Sequence, residues 1–244
     1  MRPILFDKAE DPRRRLLISL LSTGFLTTPS AGALAASLFG DRPARLPAGQ
    51  SIFRIEGQVT VNGKPATLQT RIAPGDVLET GPNSEIVFVV GAHSMIARAN
   101  TRMTITPQKV AVSTVIAGLR ILAGRVLSVS RNSPMQVNAP TVTIGVRGTG
   151  FYIEADPEQT YFCTCYGTTE VSANSDPDSR RTITAAHHDQ PLYILAKEGR
   201  GRNIRNAPLI NHTDQELMLI ETLVGRSTPF VFPKDAYNAP RRNY

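Results

Sequence analysis

Short runs in which apolar and polar residues alternate make up most of the chain between residues 51 and 175, and glycine, proline and asparagine separate them. The run 57–64 ends in Asn62-Gly63, a pair typical of a tight turn between two strands. Residues 85–90 form a compact apolar run of strand length, and separate strands are predicted at 110–117, 119–122 and 125–130, with breaks at Gly118 and Gly124. Because such runs recur roughly every 8–14 residues, the pattern predicts an all-β fold, either an antiparallel sandwich or a short solenoid-like β stack.

One helix is predicted near the end of the sequence, over about residues 213–225. Thr213 and Glu216 have the spacing of a capping box, in which each side chain bonds the backbone of the other residue. Gly225 stands where the residue after a helix is often glycine. Apolar residues recur between them at helical spacing: Leu217, Ile220 and Val224. We expect this helix to pack on the sheet.

The segment 139–167 is the most informative part of the chain. Two predicted strands, 141–146 and 151–155, are joined by the motif Arg147-Gly148-Thr149-Gly150. Its glycines indicate backbone that a Cβ would obstruct, or a close approach by another part of the chain. Two roles are open for Arg147: an anion contact beside exposed backbone N–H groups, or a bridge between carbonyl groups at a strand corner. Because no Lys-Ser/Thr pair and no helix follow, the motif is not a phosphate loop, and we favour the structural role.

The N-terminal 35 residues have the pattern of an export signal. Arg13-Arg14-Arg15 precedes an uncharged run that is apolar at its start, and Ala33-Leu34-Ala35 fits a small-x-small cleavage site. The arginines resemble a twin-arginine signature, with a general secretory signal as the alternative. We expect a periplasmic or otherwise exported protein with no membrane span after cleavage, followed by a linker over residues 36–50. An uncleaved signal that anchors the chain in the inner membrane is the alternative.

Charge and composition limit the possible partners. The chain has 244 residues, a net charge of +7 and 41% hydrophobic residues, enough for a substantial core. The positive charge is spread along the sequence rather than concentrated in one segment, which argues against nucleic-acid binding. An aromatic content of 6% and the absence of tryptophan make a carbohydrate or cell-wall binding module less attractive.

Several motifs in one order resemble the FecR domain family, named after a periplasmic regulator of iron-dicitrate uptake. They are Pro74–Gly81, Ile86–Gly91, Leu119–Gly124 and Pro140–Gly150. The resemblance covers roughly residues 51–175 and leaves 176–244 as a C-terminal extension. It implies an exported β module that binds a partner. The FecR regulators carry a cytoplasmic anti-sigma segment before a membrane span, whereas about a dozen residues precede the apolar run here, so we do not expect signalling to a sigma factor.

Both cysteines lie on the predicted strand 160–166, in an element TYFCTCYG that resembles a subgroup of the same family. In a strand, Cys163 and Cys165 face the same side with Cα atoms about 6.5 Å apart, close to the upper limit for a disulfide. A local disulfide or inert thiols, a soft metal such as zinc or copper, and a redox-active pair are therefore the open alternatives.

The histidines supply the remaining candidate metal ligands. His187 and His188 are adjacent, so in a strand they would face opposite ways and only one would join the cysteines. His212 comes directly before the predicted helix. The candidate set is therefore Cys163, Cys165, one of the two adjacent histidines and His212, at a spacing that matches no established zinc motif.

These observations favour a non-enzymatic exported module that binds an envelope protein or a small ligand. The sequence His187-His188-Asp189 lacks a glycine-flanked serine and does not reproduce a catalytic triad by spacing. A metal-binding or thiol-redox protein that uses the cysteine pair is the first alternative. The ligand, the partner and the oligomeric state are not determined by the sequence.

Overall fold

A computed structural model describes residues 44–110, 113–130, 134–176 and 178–229, so the predicted signal and part of the predicted linker lie outside the described residues. The described chain forms a branched sheet of fourteen strands and one α-helix, which confirms the all-β prediction with a single C-terminal helix. Among the described residues, no helix has the length and apolar composition needed to cross a membrane.

The strands, in chain order, are β1 (Ile52–Glu56), β2 (Val59–Val61), β3 (Lys64–Pro65), β4 (Val77–Thr80), β5 (Glu85–Val90), β6 (His93–Ala97), β7 (Arg102–Val110), β8 (Ser113–Ser130), β9 (Met135–Asn138), β10 (Val142–Ala155), β11 (Gln159–Ala173), β12 (Arg180–Ala185), β13 (Leu192–Leu195) and β14 (Ile204–Asn206). The helix α1 spans Asp214–Leu223.

The sheet follows the order β14-β13-β11-β10-β9-β8-β7-β4-β2-β3. The remaining strands join by side pairings: β12 with β11, β6 with β8, β5 with β6, and β1 with β5. The neighbours are antiparallel except β8 and β9, which run parallel. Strands β12, β13 and β14 come from the C-terminal extension and continue the same sheet.

Alternation along the long strands divides the apolar side chains between two clusters. On β10, Phe151 and Ile153 belong to the larger cluster, whereas Tyr152 belongs to the smaller one. The smaller cluster also contains the buried apolar face of α1: Leu217, Ile220 and Leu223. The helix therefore packs on the second face of the sheet, against β6 and β8, in the same cluster as apolar residues of β10 and β11.

The sequence predicted that the motif at 147–150 joins two separate strands, and the structure shows one continuous strand instead. Strand β10 runs without interruption through Arg147-Gly148-Thr149-Gly150, and its pairing with β11 shifts register between Arg147 and Phe151. A bulge gives the strand an extra residue and bends it. Gly148 takes the left-handed conformation, with φ +61°, which explains one glycine of the motif.

Strand β8 shows the same departure from the prediction, since it passes through Gly118 and Gly124 where breaks were expected. A Cβ at Gly118 would lie 1.9 Å from the backbone oxygen of Gln136 on the parallel neighbour β9. Gly124 has φ +94°, and its Cβ would lie 2.3 Å from the Cα of Thr101. These glycines allow close backbone approach inside a long strand instead of ending it.

Candidate metal centre

The two cysteines lie on β11, on the face that packs against α1. Cys163 and Cys165 are completely buried and share their cluster with Tyr161, while Phe162, between Tyr161 and Cys163, faces the larger core. Both are free thiols. The period of two along a strand brings both sulfur atoms to the same side, as expected from the sequence.

The adjacent histidines lie in a turn between β12 and β13 rather than in a strand. Asp189 shapes this turn: its carboxylate accepts hydrogen bonds from the backbone N–H groups of Ala186 and His187, at 2.6 and 3.3 Å. His188 has φ +53° and donates its backbone N–H to the carbonyl of Cys165, at 2.9 Å. The expectation that the two rings face opposite ways is therefore wrong, because the left-handed residue turns both to one side, with ring centroids 4.7 Å apart.

His212 lies directly before the helix and is completely buried. Its Nδ1 is 2.7 Å from the carbonyl oxygen of Ile210, and its ring stacks on Tyr152 with centroids 4.5 Å apart. Thr213 then caps α1, since its side chain accepts the N–H of Glu216 and the Glu216 carboxylate accepts the N–H of Thr213. The capping box fixes the start of the helix and thereby the position of His212.

These segments bring four potential ligands together: Cys163, Cys165, His188 and His212. One donor atom from each lies within 4.8 Å of all the others, and all four residues are buried. Cys163 Sγ is 3.5 Å from His188 Nδ1, and that nitrogen is 3.1 Å from His212 Nε2. In a tetrahedral zinc site, neighbouring donor atoms lie roughly 3.3–3.8 Å apart, as follows from the usual Zn–S and Zn–N lengths. Small side-chain shifts would therefore allow all four donor atoms to bind one ion.

Asp214, in the first turn of α1, contacts the rings of both adjacent histidines and is itself completely buried. Its Oδ1 is 3.0 Å from Nε2 of His188, and both of its oxygens are 3.0 Å from Nε2 of His187. A carboxylate on the far nitrogen of a histidine is the usual support for a metal-ligating imidazole. Asp214 is not among the residues predicted from the sequence; the signal that could have indicated it is an acidic residue two positions after His212.

The hydrogen bonds also determine which ring nitrogens carry lone pairs. His212 donates Nδ1–H to the Ile210 carbonyl, which leaves a lone pair on Nε2. When Asp214 accepts the Nε2 proton of His188, Nδ1 of that ring also carries a lone pair. Since these two lone pairs face each other across 3.1 Å, the arrangement is stable only with a proton or a metal cation between the donors.

Electrostatics inside the cluster favour a thiolate on Cys163. Burial raises the pKa of this thiol, but the hydrogen bond from Cys165, the electrostatic influence of His212 and the hydrogen bond from His188 outweigh burial and hold the pKa well below its usual value. Burial, together with the negative charges of Cys163 and Asp214, raises the pKa of Cys165. Burial lowers the pKa of His188, yet Cys163 and Asp214 shift it upward overall.

The other predicted residues lie outside this cluster. Within the described chain Arg147 does not bridge carbonyl groups, so the expected structural role is wrong; its exposed guanidinium makes an ion pair with Glu170 on the neighbouring strand, at 3.3 Å. Gly150 lies against Tyr166, and Thr149 is buried. The fourth histidine, His93, is buried on β6 and belongs to neither group of potential metal ligands in the described chain.

Comparison with known proteins finds a family model that matches one segment of the chain. Residues 76–170 match the family model described as FecR protein, so the resemblance predicted from the sequence is confirmed for this segment. The segment includes both cysteines, while His188, His212 and Asp214 follow it. A search of curated proteins gives no match.

Solved structures that resemble the chain include two of a proposed anti-sigma factor from Parabacteroides distasonis, at 2.50 Å and 1.65 Å resolution. Each is 14% identical over 54% of this chain and 58% of the other, with TM-scores of 0.43 and 0.42. The chain thus matches a little over half the length of these structures.

Proposed function

We propose that this protein is a non-enzymatic FecR-type module of the cell envelope, in which a Zn²⁺ ion fixes the C-terminal helix to the sheet. The ligands are Cys163, Cys165, His188 and His212. The observation that carries the proposal is the convergence of four buried donors from three separate segments: a strand, a turn and the residue before a helix.

The donor chemistry supports a transition metal. Two thiolates and two imidazoles, all supplied by the protein, form a closed tetrahedral set typical of structural zinc sites. Apolar groups alone would not compensate the burial of two imidazoles, two sulfurs and the Asp214 carboxylate. A cation at the centre neutralises the thiolates and satisfies both facing lone pairs. Cu(I), which also accepts soft thiolate ligands, is the competing metal in the test.

Three of these side chains are arranged as in a catalytic triad, because Cys163 contacts His188 and His188 contacts Asp214. A nucleophile must reach the substrate, however, and Cys163 is completely buried. We therefore assign the cysteine pair to metal binding rather than to catalysis.

The FecR segment supports the envelope location and a role in binding a partner. The predicted export signal agrees with that location, and we propose that the partner is an envelope protein, with a small ligand as the alternative. A carbohydrate-binding role is less attractive because, among the described phenylalanine and tyrosine residues, Phe53 alone is exposed. Such sites require aromatic platforms on the surface.

Metal content and native mass spectrometry of the purified full chain test the metal centre. We expect one Zn²⁺ per chain, and we expect Cys165→Ser and His212→Gln to lose it. His93→Gln is the matched control, because it changes a buried histidine outside the cluster and should retain the ion.

A native mass without metal, together with a loss of two hydrogen masses on Cys163 and Cys165, would instead establish a disulfide. Copper bound in place of zinc would support the four proposed ligands and overturn the assignment of the metal. Equal metal content in the wild type and both ligand variants would contradict the assignment of the ligands.

A further inference from the structure

We propose that His187 and Asp214 form an uptake site, through which a hydrated divalent transition-metal ion reaches the buried centre. This inference rests on the metal centre proposed above. It assigns a role to His187, which lies beside the centre but is not one of its four ligands.

Burial creates the need for such a route. Cys163, Cys165 and His212 are completely buried, and the side chain of His188 is 4% exposed, so solvent does not reach the four ligands directly. The side chain of His187 is 31% exposed. It is therefore the imidazole of this region that a hydrated ion meets first.

Asp214 connects His187 to the centre. Its two oxygens lie 3.0 Å from Nε2 of His187, and one of them also lies 3.0 Å from Nε2 of His188. The opposite nitrogen of the His188 ring is the one that faces Cys163. One carboxylate thus touches both the exposed ring and a ring that ligates the buried ion.

The two sites differ in the strength with which they hold an ion. An imidazole and a carboxylate bind a divalent transition metal while water keeps the other coordination positions. Two thiolates and two imidazoles bind it more tightly, so the ion moves inward. As it is bound, the protons carried by the ligating sulfur and nitrogen atoms are released to solvent, leaving two thiolates and two neutral imidazoles.

The test measures the rate at which apoprotein takes up Co²⁺, with the absorption of the cobalt–thiolate bond as the readout. His187→Gln keeps a side-chain N–H that donates to Asp214 but removes the imidazole ligand. We expect the absorption to appear roughly tenfold more slowly in this variant, with the same final amplitude and the same metal-to-protein ratio as the wild type. His93→Gln serves as the control and should take up Co²⁺ at the wild-type rate.

An unchanged rate in His187→Gln would overturn the uptake site and leave the metal centre in place. A reduced final amplitude would also overturn it, because His187 would then be a ligand of the bound ion. If the wild type gives no cobalt–thiolate absorption at all, both the centre and its uptake site fail.

Discussion

At the scale of single residues, glycine is required at two positions of the motif at 147–150, for a different physical reason at each. Gly148 requires a left-handed backbone, with φ +61°. Gly150 requires space, because a Cβ there would lie 2.5 Å from the ring of Tyr166. That ring has little freedom to move, since its hydroxyl donates to the buried carboxylate of Glu221 on the helix. The sequence predicted the need for glycine but not the neighbour that causes it.

Gly150→Ala should therefore lower the free energy of unfolding by more than about 1 kcal/mol, as overpacking of a filled core does. Gly145→Ala is the control on the same strand, because its Cβ would have ordinary contacts, the nearest 3.7 Å away. Urea unfolding of both variants measures the difference. Equal stability of the two variants would show that Tyr166 yields to the new methyl group.

The buried His93 predicts a pH dependence of stability. Burial, with a contribution from the positive charge of Arg226, lowers its pKa from 6.5 to about 4. The unfolded chain then binds this proton at a higher pH than the folded chain, so stability falls as the pH drops from 6.5 to about 4. The full loss is on the order of 3 kcal/mol.

His93→Gln removes the titrating group, so its stability should depend less on pH than that of the wild type over this range. Unfolding free energies of both proteins, measured at matched pH values, give the two slopes. Parallel slopes would mean that His93 is protonated equally in the folded and unfolded chains.

At the scale of elements, α1 depends on tertiary contacts, because a helix of 10 residues is marginal by itself in water. Its apolar face packs on the sheet, and Glu216 forms an ion pair with the nearly buried Arg98, at 2.6 Å. Its first turn also provides Asp214 to the metal centre, directly after His212. Metal binding and helix docking should therefore be coupled.

Removal of the metal with a chelator should speed amide hydrogen exchange in α1 and in the turn at residues 186–189. It should leave exchange in the paired strands β4 and β7 unchanged, because their buried apolar residues belong to the larger cluster and not to the one that contains the cysteines and the helix. Mass spectrometry of exchanged peptides, with and without chelator, provides the comparison. Helix peptides that exchange at the same rate in both conditions would contradict the coupling.

The elements also show what the sequence could predict. Strand alternation and the capping box predicted the all-β fold, the shared face of Cys163 and Cys165, and the place of α1. Breaks were expected at Gly118 and within 147–150, where the structure has long strands instead. Glycine is typical both of turns and of close approach within a sheet, and only the neighbouring strand distinguishes the two.

At the scale of the whole molecule, the proposed centre joins the FecR segment to the chain that follows it. Cys163 and Cys165 lie within residues 76–170, whereas His188 and His212 lie beyond them. The sequence predicted this set of ligands. The orientation of the His187 and His188 rings, however, depends on the left-handed backbone of His188 and on the carboxylate of Asp214. Tertiary structure alone supplies those two facts.

X-ray absorption at the zinc edge of the purified protein tests the central claim most directly. The account predicts a first shell of about two sulfurs near 2.3 Å and two nitrogens near 2.0–2.1 Å. Cys165→Ser should lose one sulfur or the ion itself, and His93→Gln should give the wild-type spectrum. A first shell of nitrogen and oxygen without sulfur would show that the cysteines do not bind the ion, and would contradict the proposed centre.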